Sequence, residues 1–156
     1  MTTLDSTHPK VKARPGETLR FFGMELIWTI TPEMSRGTFM QFLHVSPPGT
    51  GVPVHIHHGE QEAIYIIEGD LVAQIGTETL SASPGDAVML PKGVPHGWRV
   101  TGDKTARILF TFELTPESDH ETMFASLVDL PPDAMERLVA ICAANNIEML
   151  TPPAMP

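Results

Sequence analysis

Gly49-Thr-Gly-Val-Pro-Val-His55-Ile-His57-His-Gly-Glu-Gln-Glu62-Ala-Ile-Tyr-Ile-Ile-Glu-Gly69 is the stretch on which the fold turns. Side chains two apart on an extended strand share a face. His55 and His57 therefore point one way, and Val54 and Ile56 point the other as apolar packing residues. Gly59 offers a reversal, and Glu62 opens the apolar run Ala63-Ile-Tyr-Ile-Ile67, which reads as the next strand. A carboxylate at the head of a buried strand needs a charge partner. A cation held by the two neighbouring imidazoles is one. In a second stretch, Gly85-Asp-Ala-Val-Met-Leu-Pro91-Lys-Gly93-Val-Pro-His96, the residues Pro91, Gly93 and Pro95 shape a bend that delivers His96 to the start of a later strand. His55, His57, Glu62 and His96 thus offer three imidazoles and a carboxylate to one divalent metal. That mixture suits Fe, Mn, Ni, Co or Zn and can leave coordination positions open for a substrate or dioxygen.

The two stretches resemble the two motifs of the cupin superfamily. The first, G-x5-H-x-H-x4-E-x6-G, is met at every fixed position by Gly49, His55, His57, Glu62 and Gly69. The second, G-x5-P-x-G-x2-H-x3-N, is met by Gly85, Pro91, Gly93 and His96, with Val100 where Asn is usual. That Asn is not a ligand in the family pattern, so the departure touches local packing and leaves the metal assignment intact. The resemblance extends over roughly residues 18 to 115, and the tail resembles that of small single-domain cupins likened to quercetin dioxygenases. It implies an all-β, single-domain jelly-roll barrel carrying one divalent metal ion.

Composition is consistent with that expectation. A chain of 156 residues suits one core, and 42% hydrophobic residues with 12 Gly and 15 Pro suit a β-rich, turn-rich globule. A membrane helix is not expected, because no run of about 18 apolar residues exists. The N-terminus lacks an apolar signal core, and Cys142 is alone, which excludes an internal disulfide and suits a reducing cytoplasm. A net charge of −9 argues against a nucleic-acid surface.

Residues 1–16 read as a flexible arm, 17–116 as the barrel and 117–156 as a helical tail packed on the barrel or on a partner. Strands are predicted over 20–30, 37–45, 71–75, 77–80, 87–90, 97–101 and 106–114, besides those of the motifs; short strands at such regular spacing indicate a barrel or sandwich. In the tail, Ser118 with Glu121 fits a capping box, and Met123, Phe124, Leu127 and Val128 make one apolar face. Asp133 with Glu136 opens a second helix carrying Met135, Leu138, Val139 and Cys142 at helical spacing. These helices are expected to pack on the barrel or on a second subunit; a mobile lid is the alternative. A homodimer is expected, because sheet edges need cover.

Alternation also proposes a pocket. Pro53 shares the face of His55 and His57, Ile64 and Ile66 that of Glu62, and Trp98 follows His96. Phe39, Gln41 and Leu43 share one face of the third strand, while Phe110 or Phe112 closes the far side. The lining is apolar and aromatic. Basic residues are sparse, with Lys92, Arg99 and Arg107 nearest, which disfavours a phosphorylated sugar. His58 is expected to be exposed, His8 and His120 solvated, Cys142 core filler and Glu60 a turn residue, while His44 reads as a packed polar residue or a partner behind the ligands.

The leading functional expectation is a metal-dependent dioxygenase acting on a small aromatic, phenolic or enolic compound, flavonol-like, with Glu62 as general base. The alternatives are a non-redox lyase, cyclase or isomerase using the metal as Lewis acid, or a binding module without turnover. The chain shows no helix-turn-helix region, which argues against a transcription regulator.

Overall fold

The computed structural model describes residues 10–150 and 154–156; His8 and the first nine residues of the expected arm lie outside the described residues. Ten strands come first: β1 (Thr18–Phe21), β2 (Met24–Ile30), β3 (Phe39–Ser46), β4 (Gly51–His57), β5 (Glu62–Glu68), β6 (Asp70–Ile75), β7 (Glu78–Ala82), β8 (Ala87–Leu90), β9 (His96–Thr101) and β10 (Ala106–Glu113). Helices α1 (His120–Leu127) and α2 (Met135–Ala144) follow, and the short strand β11 (Ile147–Met149) comes last. Two antiparallel sheets result, ordered β1-β2-β3-β10-β5-β8 and β11-β4-β9-β6-β7. The sheets stay distinct rather than closing, within the jelly-roll architecture expected.

The larger of two apolar clusters draws on both sheets. Leu26, Trp28, Met40, Phe42, Ile64, Ile66 and Ile108 come from the first, and Leu71, Ala73, Trp98 and Val100 from the second. Burying side chains of this size contributes roughly 1.5–3 kcal/mol each. Val100, the departure from the motif, is simply a core residue. Gly97 allows β9 to approach β4 closely: a Cβ there would lie 2.9 Å from both Val52 O and Val54 N. That approach sits at the register shift between Val52 and His55, beside the site.

Four local expectations are corrected. The run 20–30 is a hairpin, not one strand, because Phe22 and Gly23 both adopt positive φ (50° and 76°), the geometry of a two-residue turn. Helix α1 is capped by Asp119, whose side chain accepts from Thr122 N, and not by a Ser118–Glu121 box. Ser118 is turned towards Glu60, and the Glu121 carboxylate instead accepts from Ala13 N. Residues 10–13 of the expected arm therefore lie along α1, with Val11 N donating to Thr122 Oγ1. Finally, β11 pairs with β4 and covers the edge of the histidine strand. Asn146, at φ 60°, turns the chain out of α2 into this strand.

Candidate metal centre

Cross-strand register brings the four motif residues together. His55 stands directly opposite His96 in the β4–β9 pair, and His57 follows on the same face of β4. Glu62 arrives from the other sheet, at the head of β5 opposite Phe112 and Leu90. The ligand atoms of all four lie within 4.8 Å of one another, and all four residues are buried. Glu62 Oε2 is 3.0 Å from His96 Nε2 and 3.6 Å from His57 Nε2.

The rear nitrogens decide what this cluster fits. His55 Nδ1 is 2.7 Å from Pro53 O, and His96 Nδ1 is 3.1 Å from Val94 O. Carbonyl oxygens only accept, so each Nδ1 carries the proton and each Nε2 presents its lone pair. For His96 that lone pair faces the Glu62 carboxylate, acceptor against acceptor. A cation between them satisfies both. The residues present therefore fit a divalent metal, and buried His/Glu groups of this composition can hold one.

Electrostatics agree with that arrangement. Burial, reinforced by the neighbouring His57 and His96, lowers the pKa of His55 to about 3, so it stays neutral and available as a ligand. Burial works against the charge of Glu62, but the close approach of His96 and the other nearby imidazoles outweighs it and holds the carboxyl below its ordinary range.

The cavity beside this cluster has a volume of about 120 Å³ and is open to His55, His57 and Glu62 but not to His96. Its walls include Phe42, His44, Trp98, Phe110, Phe112 and Phe124. Of the expected pocket residues, Trp98, Phe110, Phe112 and Pro53 line it. Phe39, Gln41, Ile64 and Ile66 do not. Met40, Phe42 and His44 are the inward residues of β3, the opposite phase from the one expected. Phe39 is therefore exposed, and Gln41 bonds Thr29 and Thr111 on the outer face. Ile64 and Ile66 are buried in the core between the sheets, away from the cavity.

Two further residues depart from expectation. Glu60 lies in the β4–β5 turn as expected but is buried there, and His120 is not solvated; each is only 2% exposed. Glu60 takes a hydrogen bond from Ser118 (2.6 Å) and lies 3.2 Å from His120 Nε2 and 3.5 Å from His57 Nδ1. Burial opposes its charge, but His120, His57 and Ser118 together keep it ionised well below the usual carboxylate range. His58 is half exposed and pairs with Glu148 at 2.9 Å, as its outward position requires.

Comparison with known proteins places the chain. A family profile described as Cupin domain matches residues 42–112, from β3 to β10. Polyketide synthase CurC of Streptomyces cyaneus is 30% identical over 69% of this chain and 71% of its own length. The chain belongs to the cupin superfamily. Quercetin 2,3-dioxygenase of Bacillus subtilis is 26% identical over 64% of this cupin, a match that spans only 30% of the dioxygenase. A Thermotoga maritima structure described as a predicted oxalate decarboxylase superposes with a TM-score of 0.55 at 26% identity, covering 59% of this cupin and 81% of that chain. Among the described residues no helix of this cupin is long and apolar enough to cross a membrane.

His44 gives the cupin a testable acid response. Burial among aromatic rings lowers its pKa from 6.5 to about 4, against the opposing pull of the Glu62 charge. The unfolded chain takes up this proton near pH 6.5 and the folded chain resists it down to about 4. The folded state thus loses stability as pH falls through that window, by about 3 kcal/mol at its foot. Thermal melts of metal-free wild type and His44→Phe between pH 4 and 7 are expected to show a shallower acid loss in the variant. Parallel curves would contradict the assignment.

Proposed function

We propose that His55, His57, Glu62 and His96 hold one divalent metal, and that this cupin is a dioxygenase acting on a small aromatic, phenolic or enolic compound. The observation that carries the reading is that three of these residues open onto a cavity that is apolar and aromatic apart from His44. Bound there, such a metal supplies Lewis-acid polarisation and a redox partner for dioxygen. The protein supplies the rest. A cavity near this size takes a single benzene-like ring, and the faces of Phe42, Trp98, Phe110 and Phe112 orient it and exclude water. Glu62 Oε2, at the meeting point of the imidazoles, accepts the proton of the substrate hydroxyl. His44 lines the same cavity with Nδ1 engaged by Ser46 Oγ at 3.2 Å. Its remaining nitrogen is placed to bond a second substrate oxygen and fix the ring.

A second pocket continues outward past Phe22, Gly51, Pro53 and Leu138 to Pro132, Met135 and Met155. These shared residues make it an antechamber for substituents larger than one ring. Among the described residues no cluster of cations lines either pocket, so the reading is of a neutral substrate.

A non-redox proton transfer on an enolisable carbonyl is the second reading. It is favoured by the match to a protein named for polyketide synthesis, which covers far more of that relative than the match to the dioxygenase does. Glu62 is the base in both readings. Oxygen uptake during turnover of a flavonol or an enolisable aromatic ketone separates them.

A further inference from the structure

We propose that Glu60, fixed by Ser118 and flanked by His120, is a positioning residue for His57, so that the C-terminal segment is a working part of the metal site. The inference rests on the reading of His57 as a ligand. Two of the three histidines have their rear nitrogens held by backbone carbonyls nearby, Pro53 O for His55 and Val94 O for His96. His57 differs. Its Nδ1 has no hydrogen-bond partner within normal reach, nor does Glu60 Oε2, and the two face each other across 3.5 Å with both side chains at most 5% exposed.

An imidazole that gives its Nε2 lone pair to a cation keeps its proton on Nδ1, and a carboxylate behind it is the acceptor that fixes the ring and strengthens it as a ligand. Drawing Glu60 in by a few tenths of an ångström completes that bond. The other oxygen of Glu60 is already anchored by a bond from Ser118 Oγ at 2.6 Å, and His120 Nε2 stands 3.2 Å from it without completing a hydrogen bond. Ser118 immediately precedes the capping residue of α1, and His120 is the first residue of that helix. Phe112 packs on both His57 and His120, with ring centroids 5.3 and 5.8 Å away, and excludes water from the chain of contacts. The same helix lends Met123, Phe124 and Leu127 to the cavity wall. One connected path therefore runs from the ligand strand through Glu60 to the element that encloses the substrate.

His57, Glu60 and His120 are also close enough to hold an ion themselves. That would require His57 to surrender its Nδ1 proton while Nε2 is ligated, so a proton-bearing hydrogen bond is favoured and a second ion becomes an outcome of the test.

The experiment measures Co²⁺ affinity and the visible Co²⁺ spectrum of the full-length protein by competition with a chelator. The variants are Glu60→Gln, Ser118→Ala, Ser118→Thr, His120→Ala and His55→Ala, with metal-free thermal melts as the check on folding. Glu60→Gln is expected to weaken binding by about 10–100-fold and to shift the cobalt bands, because the ligand field of His57 changes. Ser118→Ala should weaken binding less, and Ser118→Thr, which keeps the hydroxyl, should restore it. The Ser118 pair decides the matter if Glu60→Gln does not fold. Wild-type affinity and spectrum in Glu60→Gln, or in Ser118→Ala where Glu60→Gln does not fold, alongside loss of metal in His55→Ala, would overturn this inference and leave the metal site standing. Undiminished binding in His55→Ala would overturn both. Two ions per chain, one of them lost in His120→Ala, would replace the hydrogen bond with a second metal.

Discussion

Glu62→Gln is expected to lower turnover of a confirmed substrate by about 10²-fold or more while most of the bound metal is retained. The substitution keeps the length of the side chain and one coordinating oxygen but removes its basicity. In the fold, Glu62 is the only one of the four clustered residues that comes from the six-stranded sheet, and it faces the cavity directly. Its carboxyl is held below the ordinary range by His96 and the other imidazoles despite burial, so it is ionised at neutral pH. Glu62→Ala should lose both metal and activity. Metal content by elemental analysis and steady-state rates separate the two roles. A wild-type rate in Glu62→Gln would reduce Glu62 to a structural ligand and move the base elsewhere, with His44, on the same cavity, next in line.

His96→Ala and His55→Ala are each expected to abolish metal binding nearly completely. His96 is fully buried between His55 on β4 and Ile75 on β6, so no other side chain of that sheet can take its place. A ligand that binds only the folded state stabilises it by about 4 kcal/mol at a thousand-fold excess over Kd. For a chain of this size that is on the order of 10 °C in melting temperature. Wild type should therefore gain that increment on metal addition, and neither variant should. Elemental analysis together with melts in the presence and absence of Zn²⁺ checks the prediction; full occupancy in either variant would refute the ligand assignment.

The metal cluster was legible in the sequence because each part of it rests on short-range rules. The two-residue period puts His55 and His57 on one face, and the Pro91–Gly93–Pro95 bend sets the start of β9. What was not legible depends on contacts far apart in sequence, or on faces that alternation leaves ambiguous. Strand β3 carries bulky apolar residues in both phases, and its inward phase includes a histidine. Gln41, read as a polar residue inside the pocket, was in fact the marker of the outer face, where Thr29 and Thr111 receive it. Glu60 and His120 become buried only because α1 folds back over the end of β4, a contact that neither local segment announces. The i,i+3 spacing of His57 and Glu60 was the available signal. Strand β11 has three residues, too few for a period to register, although the Asn pair before it marks the turn.

With β3 in its actual phase, Phe42 and His44 replace Phe39 and Gln41 in the wall, and the tail contributes Met123, Phe124, Leu138 and Ile147. The cavity is consequently more enclosed and more aromatic than the strands alone implied, with one neutral imidazole as its polar group beyond the ligand set.

Oxygen consumption is the measurement that bears most directly on the central claim. Protein loaded in turn with Fe²⁺, Mn²⁺, Ni²⁺ and Co²⁺ is placed in an oxygen electrode with flavonols and smaller enolic phenols. Uptake of one O₂ per substrate consumed, absent in His96→Ala and depressed about 10²-fold in Glu62→Gln, is the predicted result. Conversion of substrate at the same rate in anaerobic buffer, with no oxygen uptake under any metal, would contradict it and establish the non-redox reading instead.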